Sequence, residues 1–512
     1  MSEPASTIPS NRQSLNRKRL FIGSCIALIA TSVAFATVGD IMLSLKREFV
    51  LTNAQVGWIG GAALWGFAVS QVLFAPLCDN LGMRFLLRGA FVAHLAGVVL
   101  MVVSPGFWML FWGALVIAMG NGLVEAACNP LVAALFPENK TVKLNQFHVW
   151  FPGGIVLGGL GAFALSQVGL GSWELKLGLI LIPTAIYGVM LLGERFPPTE
   201  GAEAGVSMKE MFRSTFLSPL MWLLIFCMMI TASTELGPNR WVPAVLEAGG
   251  IAGILVLAYI NGIMAALRYK AEAFVERLSP TGVLLVSAVL SAAGLMWLSY
   301  AETTIMAFAS ATLFAVGVCF FWPTMLGVVS ERVPRSGALG LGLMGAVGMA
   351  TVGLITSPQM GSVADTYAHE YLATEQSQST VQLMEEVAAT YPEIAPEAEG
   401  AFIDEINRVV GSVQTVLADH ETTGTLPEPE TANVLRSIID SGPAVASTGS
   451  TAAQPLPDRA AEILLPADNY GGRVSFRYIV PFTCLLILIF GGLYIRDRQR
   501  GGYAVVDIHD AK

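Results

Sequence analysis

The sequence predicts an all-α polytopic membrane protein of twelve transmembrane helices, arranged as two pseudo-symmetric six-helix bundles. Three observations predict it. Twelve stretches are apolar over about 20 residues, the length a helix needs to cross a hydrocarbon core. Hydrophobic residues make up 54% of the chain and charged residues only 13%, a balance foreign to soluble enzymes. Proline and acid landmarks of the first half return in the second at a fixed offset.

The twelve spans are residues 20–45, 54–77, 85–103, 107–131, 147–165, 173–192, 216–236, 251–267, 281–300, 305–329, 338–360 and 476–495. Lipid offers no partner to backbone N–H and C=O groups, so each reads as helix. Segment 1–19 is polar and the first span is full length, so no cleavable signal is expected. Span 1 carries Asp40 near its end. Span 2 leads into Leu77-Cys78-Asp79-Asn80-Leu81-Gly82, then Arg84 and Arg88. Span 3 carries His94, read as structural. Span 4 holds Asn121, Glu125 and Asn129 at spacing four, on one helix face, then Pro130 and, past its end, Glu138. Asn145 and His148, three apart, open span 5.

Residues 194–215, with Pro197-Pro198 and mixed charge, form a linker with a short surface helix near 208–212. Span 7 holds Glu235 beside Thr231, Ser233 and Thr234, and Gly237-Pro238 then predicts a broken helix end. Asn261 is the one strongly polar side chain of span 8, which is followed by Glu276 and Arg277. Span 10 holds Trp322-Pro323, with Glu331 past its end. Asn129-Pro130 and Glu138 therefore recur as Trp322-Pro323 and Glu331, both shifted by 193 residues. Small residues at spacing four, which let helices approach closely, mark Ala62/Gly66/Ser70, Gly154/Gly158/Ala162, Ala258/Gly262/Ala266 and Ala338/Gly342/Ala346/Ala350.

The resulting organisation is a tail (1–19), a first bundle (20–193), the linker (194–215), spans 7–11 (216–361), an acidic insert (362–474), span 12 (475–496) and a second tail (497–512). The insert holds 18 Asp+Glu and 4 Arg without Lys, a net −14, so the rest of the chain carries +5. With the termini placed in the cytoplasm, inner segments hold 20 Lys+Arg and outer segments 9. Basic residues favour the cytoplasmic side. Both termini are therefore expected inside a plasma (bacterial inner) membrane, with the insert outside. Within the insert, 380–390 and 401–417 have helical periodicity, and 442–454, rich in Ser, Ala, Gly and Thr, reads as a flexible linker.

Six cysteines lie in or beside apolar spans, and none is in the insert, so no disulfide framework is implied. No metal-ligand spacing, phosphate-cradling glycine loop or nucleophile triad is present. The sequence reads as neither an enzyme nor a cofactor- or metal-binding protein, and the acidic insert argues against nucleic acid. Two bundles joined by an inner linker, with a site between them, suit alternating access. A monomer in the bilayer is expected.

The chain resembles the major facilitator superfamily. Leu77, Asp79, Gly82 and Arg84 are similar to its first inner-loop signature, with Ala75 in place of the first Gly and Asn80 in place of the usual Arg. A narrower resemblance is to the fucose–proton symporter branch and its sugar-transporting relatives. It rests on Gly39-Asp40-Ile41, on Gly122 to Pro130 followed by Leu144-Asn145, and on Thr234-Glu235 followed by Trp241. The resemblance implies a gating role for Asp79, Gly82, Arg84 and Arg88, mirrored by Glu276 and Arg277.

An ionisable group inside a membrane is costly and is a functional hypothesis by default. Asp40, Glu125 and Glu235 are thus candidate proton-coupling groups. For Asp40 the competing reading is a solvated helix-end acid. For Glu125 it is a structural hydrogen-bond cluster, and for Glu235 an ion pair with Arg240. Asn121, Asn129, Asn145, His148, Asn261 and Trp322 are the candidate substrate contacts, amides for hydroxyls and Trp322 for a sugar face. Arg268 reads as a helix-end residue near Glu272, so no cation reaches mid-depth and a neutral solute is expected. The leading function is proton symport importing a sugar or polyol. The alternatives are another small polar solute or sodium coupling, a transporter-like sensor using the insert, and a proton-driven efflux pump.

Overall fold

The computed structural model describes residues 15–251 and 253–510. The tail through residue 14, including Arg12, and Lys512 lie outside the described residues. The first half contains α1 (Arg17–Glu48), α2 (Asn53–Phe74), α3 (Met83–Val102), α4 (Phe107–Leu135), α5 (Lys140–Gln167) and α6 (Trp173–Leu191). The second contains α7 (Pro219–Ala248), α8 (Gly253–Tyr269), α9 (Ala271–Leu298), α10 (Thr304–Arg332) and α11 (Pro334–Thr374). The insert adds α12 (Ser377–Ile394), α13 (Ala401–Thr423) and α14 (Glu430–Asp440), and α15 (Pro455–Gln499) closes the bundle. Among the described residues there is no strand. Eleven of these helices are long and apolar enough to cross a membrane, and the shorter apolar α8 stands where the eighth span is expected.

Leu157, Leu160, Phe163, Val189 and Leu488 are exposed on the bundle surface. In water such a belt would drive aggregation; facing hydrocarbon it is the matched surface. Within each half the helices touch through glycine. A Cβ on Gly97 of α3 would lie 2.7 Å from the Ile117 N of α4, and one on Gly113 would lie 3.0 Å from the Met101 N. In the second half, Cβ atoms on Gly294 and Gly317 would lie 2.5 and 2.6 Å from the Cα atoms of Phe314 and Ser291. The α3–α4 and α9–α10 pairs are thus built alike, as duplication requires.

The small-residue stripes predicted from spacing divide. Gly66 and Gly158 meet α4 and α1 closely, and Gly342 meets Ala75 of the opposite half, whereas Gly262 has nothing within 4 Å. The span-8 stripe is therefore not a packing seam. Gly317→Val is expected to lower the thermal midpoint of the detergent-purified protein sharply, because overpacking a backbone contact costs about 1–3 kcal/mol or more. An unchanged midpoint would mean that α9 and α10 are not in backbone contact.

Two expectations are corrected. Gly237-Pro238 does not end a helix, since α7 runs through it to Ala248. Gly237 instead lets α11 close in, its Cβ position lying 2.7 Å from Thr356 Cγ2, and Pro238 costs the helix only one ladder bond. Nor is 442–454 a linker. Gly442–Thr448 is helical with Ala444 and Val445 buried, and Ala453 is buried after it.

The insert has its own core. Ile406, Val409, Val413 and Val416 of α13 pack with Leu383, Met384 and Val387 of α12 and Leu435 and Ile438 of α14. It stands on two arms, since α11 and α15 continue past the bundle and pack together, Gly471 against the Ala364 backbone. The α11 arm after Met360 extends about 20 Å at 1.5 Å per residue. Asn469 Nδ2 donates to Val245 O at 2.7 Å and Arg473 pairs with Glu302 at 3.1 Å, fixing the α15 arm to the second half.

Candidate functional site

Two faces of the halves meet, α2 with α11 and α5 with α8 and α10. Between them lies a cavity lined by Phe67, Glu125, His148, Phe151, Glu235, Leu236, Arg268, Trp322 and Met349. Its charged side chains form one chain of contacts across the boundary. Asn129 Nδ2 donates to Glu125 Oε2 at 2.6 Å, one turn along α4. His148 Nε2 lies 3.1 Å from Asn129 Oδ1 and 3.8 Å from Glu125 Oε2. The His148 carbonyl then accepts from Arg268 Nη1 of α8 at 3.0 Å, and Arg268 Nη2 donates to Glu235 Oε1 of α7 at 2.6 Å. Arg268 Nε donates to the Cys319 carbonyl. All five side chains are buried, Arg268 to 1% exposure. Glu235 Oε2 is buried without a side-chain partner, the Trp322 backbone N–H lying near the carboxylate.

Glu125, Glu235, His148 and Trp322 thus meet at one cavity. The other candidates lie elsewhere. Asn121 points to His94 (2.9 Å), whose Nδ1 lies 3.3 Å from Tyr187 Oη, a buried polar cluster away from the cavity. The stripe at spacing four therefore serves two neighbours, because each four-residue step turns the side chain about 40° further round α4 and about 6 Å along it. Asn129 braces Glu125. Asn261 Nδ2 donates to the Leu257 carbonyl of its own helix. Asp40 lies about two turns before the end of α1, is exposed and pairs with Lys176 at 2.7 Å, away from the cavity.

The face carrying the termini is closed by bonds between the halves. Thr141 N and Oγ1 donate to Glu331 Oε1 at 3.0 and 2.7 Å. Asn145 Nδ2 donates to Thr324 Oγ1 at 3.1 Å, so Asn145 belongs to this closure and not to the cavity. Lys140 reaches the Ser330 carbonyl at 3.3 Å and Glu200 of the linker at 2.6 Å. Asp79 accepts from Thr199 Oγ1 of the linker at 2.5 Å. Burial raises the Asp79 carboxyl above its ordinary range, against the Thr199 bond. Gly82, with φ of 81°, turns the chain from this loop into α3. Arg84, Arg88 and Arg277 have no ion pair among the described residues, and Glu276 lines a lateral groove with Lys143 and Lys270. The expected mirror between the Asp79 and Glu276 loops does not appear as paired contacts.

Arg268 ends α8 as the sequence predicts, in its last turn, but its side chain lines the cavity and holds Glu235, not Glu272. With it goes the ground for expecting a neutral solute. The available signal is charge balance: two mid-span acids without a cation require one from another helix, and Arg268 follows five apolar residues, Ile263 to Leu267. Glu235 was also weighed against Arg240, which has no ion pair among the described residues.

The comparisons agree with this architecture. The Major Facilitator Superfamily family match covers residues 20–358. The chain is 25% identical to a 2-nitroimidazole transporter of Escherichia coli over 47% of its length and 63% of that protein's. It is 23% identical to a gentisate transporter of Corynebacterium glutamicum over 64% of its length and 76% of that protein's. It matches a D-xylose transporter of Levilactobacillus brevis at 26% identity, over 29% of this chain and 33% of that one. Among solved structures it shares the fold of the transporter FucP in an outward conformation, with TM-score 0.56, 18% identity and coverage of 68% of this chain and 92% of that one. A bacterial homologue of the lysosomal transporter Spinster has TM-score 0.57 and 14% identity, covering 95% and 98% of the two chains. With two related helical bundles around a central cavity and a family match over most of its length, the chain belongs to the Major Facilitator Superfamily and is a multi-pass membrane transporter, not an enzyme.

Proposed function

We propose that this protein imports a small hydroxyl-rich solute, sugar- or polyol-like, together with protons by alternating access. The carrying observation is the pair of buried carboxylates in one cavity between the halves. Glu235 is held by Arg268, whereas Glu125 is held by a neutral amide and a histidine. An acid with no fixed cation can gain and lose a proton without orphaning a charge, which suits Glu125 as the proton carrier. Carboxylates also accept hydrogen bonds from hydroxyls, and Trp322 offers a flat apolar face. One relative named for D-xylose and the solved fucose and xylose symporters support the solute class. Sidedness follows from the 20-to-9 distribution of Lys and Arg, with the termini cytoplasmic.

Proteoliposomes loaded at high internal pH and exposed to labelled sugars and polyols at lower external pH test the reading. Accumulation driven by the proton gradient and insensitive to sodium is the expected result. Accumulation that requires sodium would overturn it. Sidedness is read separately in a cysteine-free background. Ser379→Cys should label with an impermeant maleimide in intact cells, and Ser207→Cys only after lysis; the opposite pattern reverses the topology.

A further inference from the structure

We infer that the transported solute carries a carboxylate, that Arg268 binds it, and that Glu235 is the internal competitor it displaces. The inference rests on the transport reading above and deepens it, from a hydroxyl-rich solute to a hydroxy acid. Four charged or titratable side chains line the cavity, Glu125 from α4, His148 from α5, Glu235 from α7 and Arg268 from α8; the other lining residues are Phe67, Phe151, Leu236, Trp322 and Met349. Arg268 is therefore the one fixed cation of the lining. It is fully desolvated and rigidly held, by the His148 carbonyl across the half boundary and by the Cys319 carbonyl within its own half. A guanidinium has five N–H donors, and three of them bond to protein here, leaving two for a ligand.

The Glu235 partnership is itself incomplete. Only Oε1 meets Arg268, and Oε2 is buried with no side-chain partner, only the Trp322 backbone N–H lying near the carboxylate. A structural ion pair in a low-dielectric interior satisfies its remaining lone pairs, since an unsatisfied buried oxygen costs stability. An Arg–Glu pair left open on a cavity between two moving halves is instead the resting form of an exchange. A proton on Glu125 removes one negative charge from the lining, and the solute carboxylate supplies a new one to Arg268, so the cavity gains a proton and an anion together and its net charge is unchanged. Fork geometry makes arginine, and not lysine, the fitting residue for a planar carboxylate. Because Arg268 also holds the opposite half through the His148 carbonyl, a carboxylate that reorients it acts directly on the contact between halves.

Binding to the full-length protein in nanodiscs tests this without requiring transport. The probes are matched acid and neutral pairs: D-gluconate with D-sorbitol, lactate with propane-1,2-diol, and 2,5-dihydroxybenzoate with hydroquinone. At least one acid should raise the thermal midpoint and bind at least tenfold tighter than its neutral partner. Glu235→Gln, which removes the competitor, should tighten that acid severalfold. Arg268→Gln in the Glu235→Gln background leaves no orphaned charge and so should fold, and it should bind the acid at least tenfold more weakly than Glu235→Gln alone. A polyol that binds while every acid is silent, or acid binding indifferent to Arg268→Gln, would overturn the inference while the hydroxyl-solute reading stands. Silence from all six compounds would overturn both.

Discussion

Glu125→Gln is expected to abolish accumulation driven by a pH gradient while leaving solute exchange between equal pools intact. The amide copies the protonated carboxyl in size and shape, and its oxygen can still accept from Asn129 Nδ2, which sits 2.6 Å from Glu125 Oε2. The contact of Asn129 with His148 at 3.1 Å is then undisturbed. No arginine or lysine pairs with Glu125, so neutralising it strands no cation, and the variant should reach the membrane in ordinary amounts. The loss should be of coupling alone, because a permanently neutral side chain can carry the solute cycle but returns no proton. Counterflow of labelled solute in proteoliposomes, measured beside gradient-driven uptake, separates the two. Undiminished accumulation would remove Glu125 from the coupling step. Loss of both activities in a folded protein would make it a substrate contact instead.

The spans were legible because hydrophobicity over about 20 residues is a local property. The predicted span 173–192 and the observed helix Trp173–Leu191 differ by one residue. Helix extent was less legible where tertiary packing overrides a local signal, as at Gly237-Pro238, whose glycine serves the approach of α11. In the insert, 442–454 looked like a linker from composition, yet Ala444 and Val445 are small enough to bury in its core. The site was legible in part. Glu125, Glu235, His148 and Trp322 could be found from the cost of polar groups in lipid. Their partners could not. Whether Asn121 faces a cavity or His94, and whether Glu235 meets Arg240 or Arg268, depends on helix rotation and crossing, which spacing within one helix does not encode. Thr141 and Glu331, 190 residues apart in sequence, meet only because the halves close on one face.

Arg268→Ala is expected to be the most damaging single change in the cavity, and Arg268→Gln with Glu235→Gln to undo most of the damage. Arg268 is 1% exposed and Glu235 2%. Removing the guanidinium leaves a buried carboxylate without its cation, with only the Trp322 backbone N–H near it. It also leaves the His148 and Cys319 carbonyls without their donor. Breaking one side of a buried pair costs about 3–5 kcal/mol, whereas replacing both partners with neutral groups of similar volume is often close to neutral. The single variant should therefore show poor monodisperse recovery and a markedly lower thermal midpoint in detergent, and the double variant should recover most of that midpoint. Neither should accumulate solute. The double variant isolates the reason: a folded protein whose cavity has lost its cation and one of its acids fails through chemistry and not through collapse. A single variant as stable as the parent would mean that Glu235 finds another partner, with Arg240, which has no ion pair among the described residues, the nearest cation along its own helix.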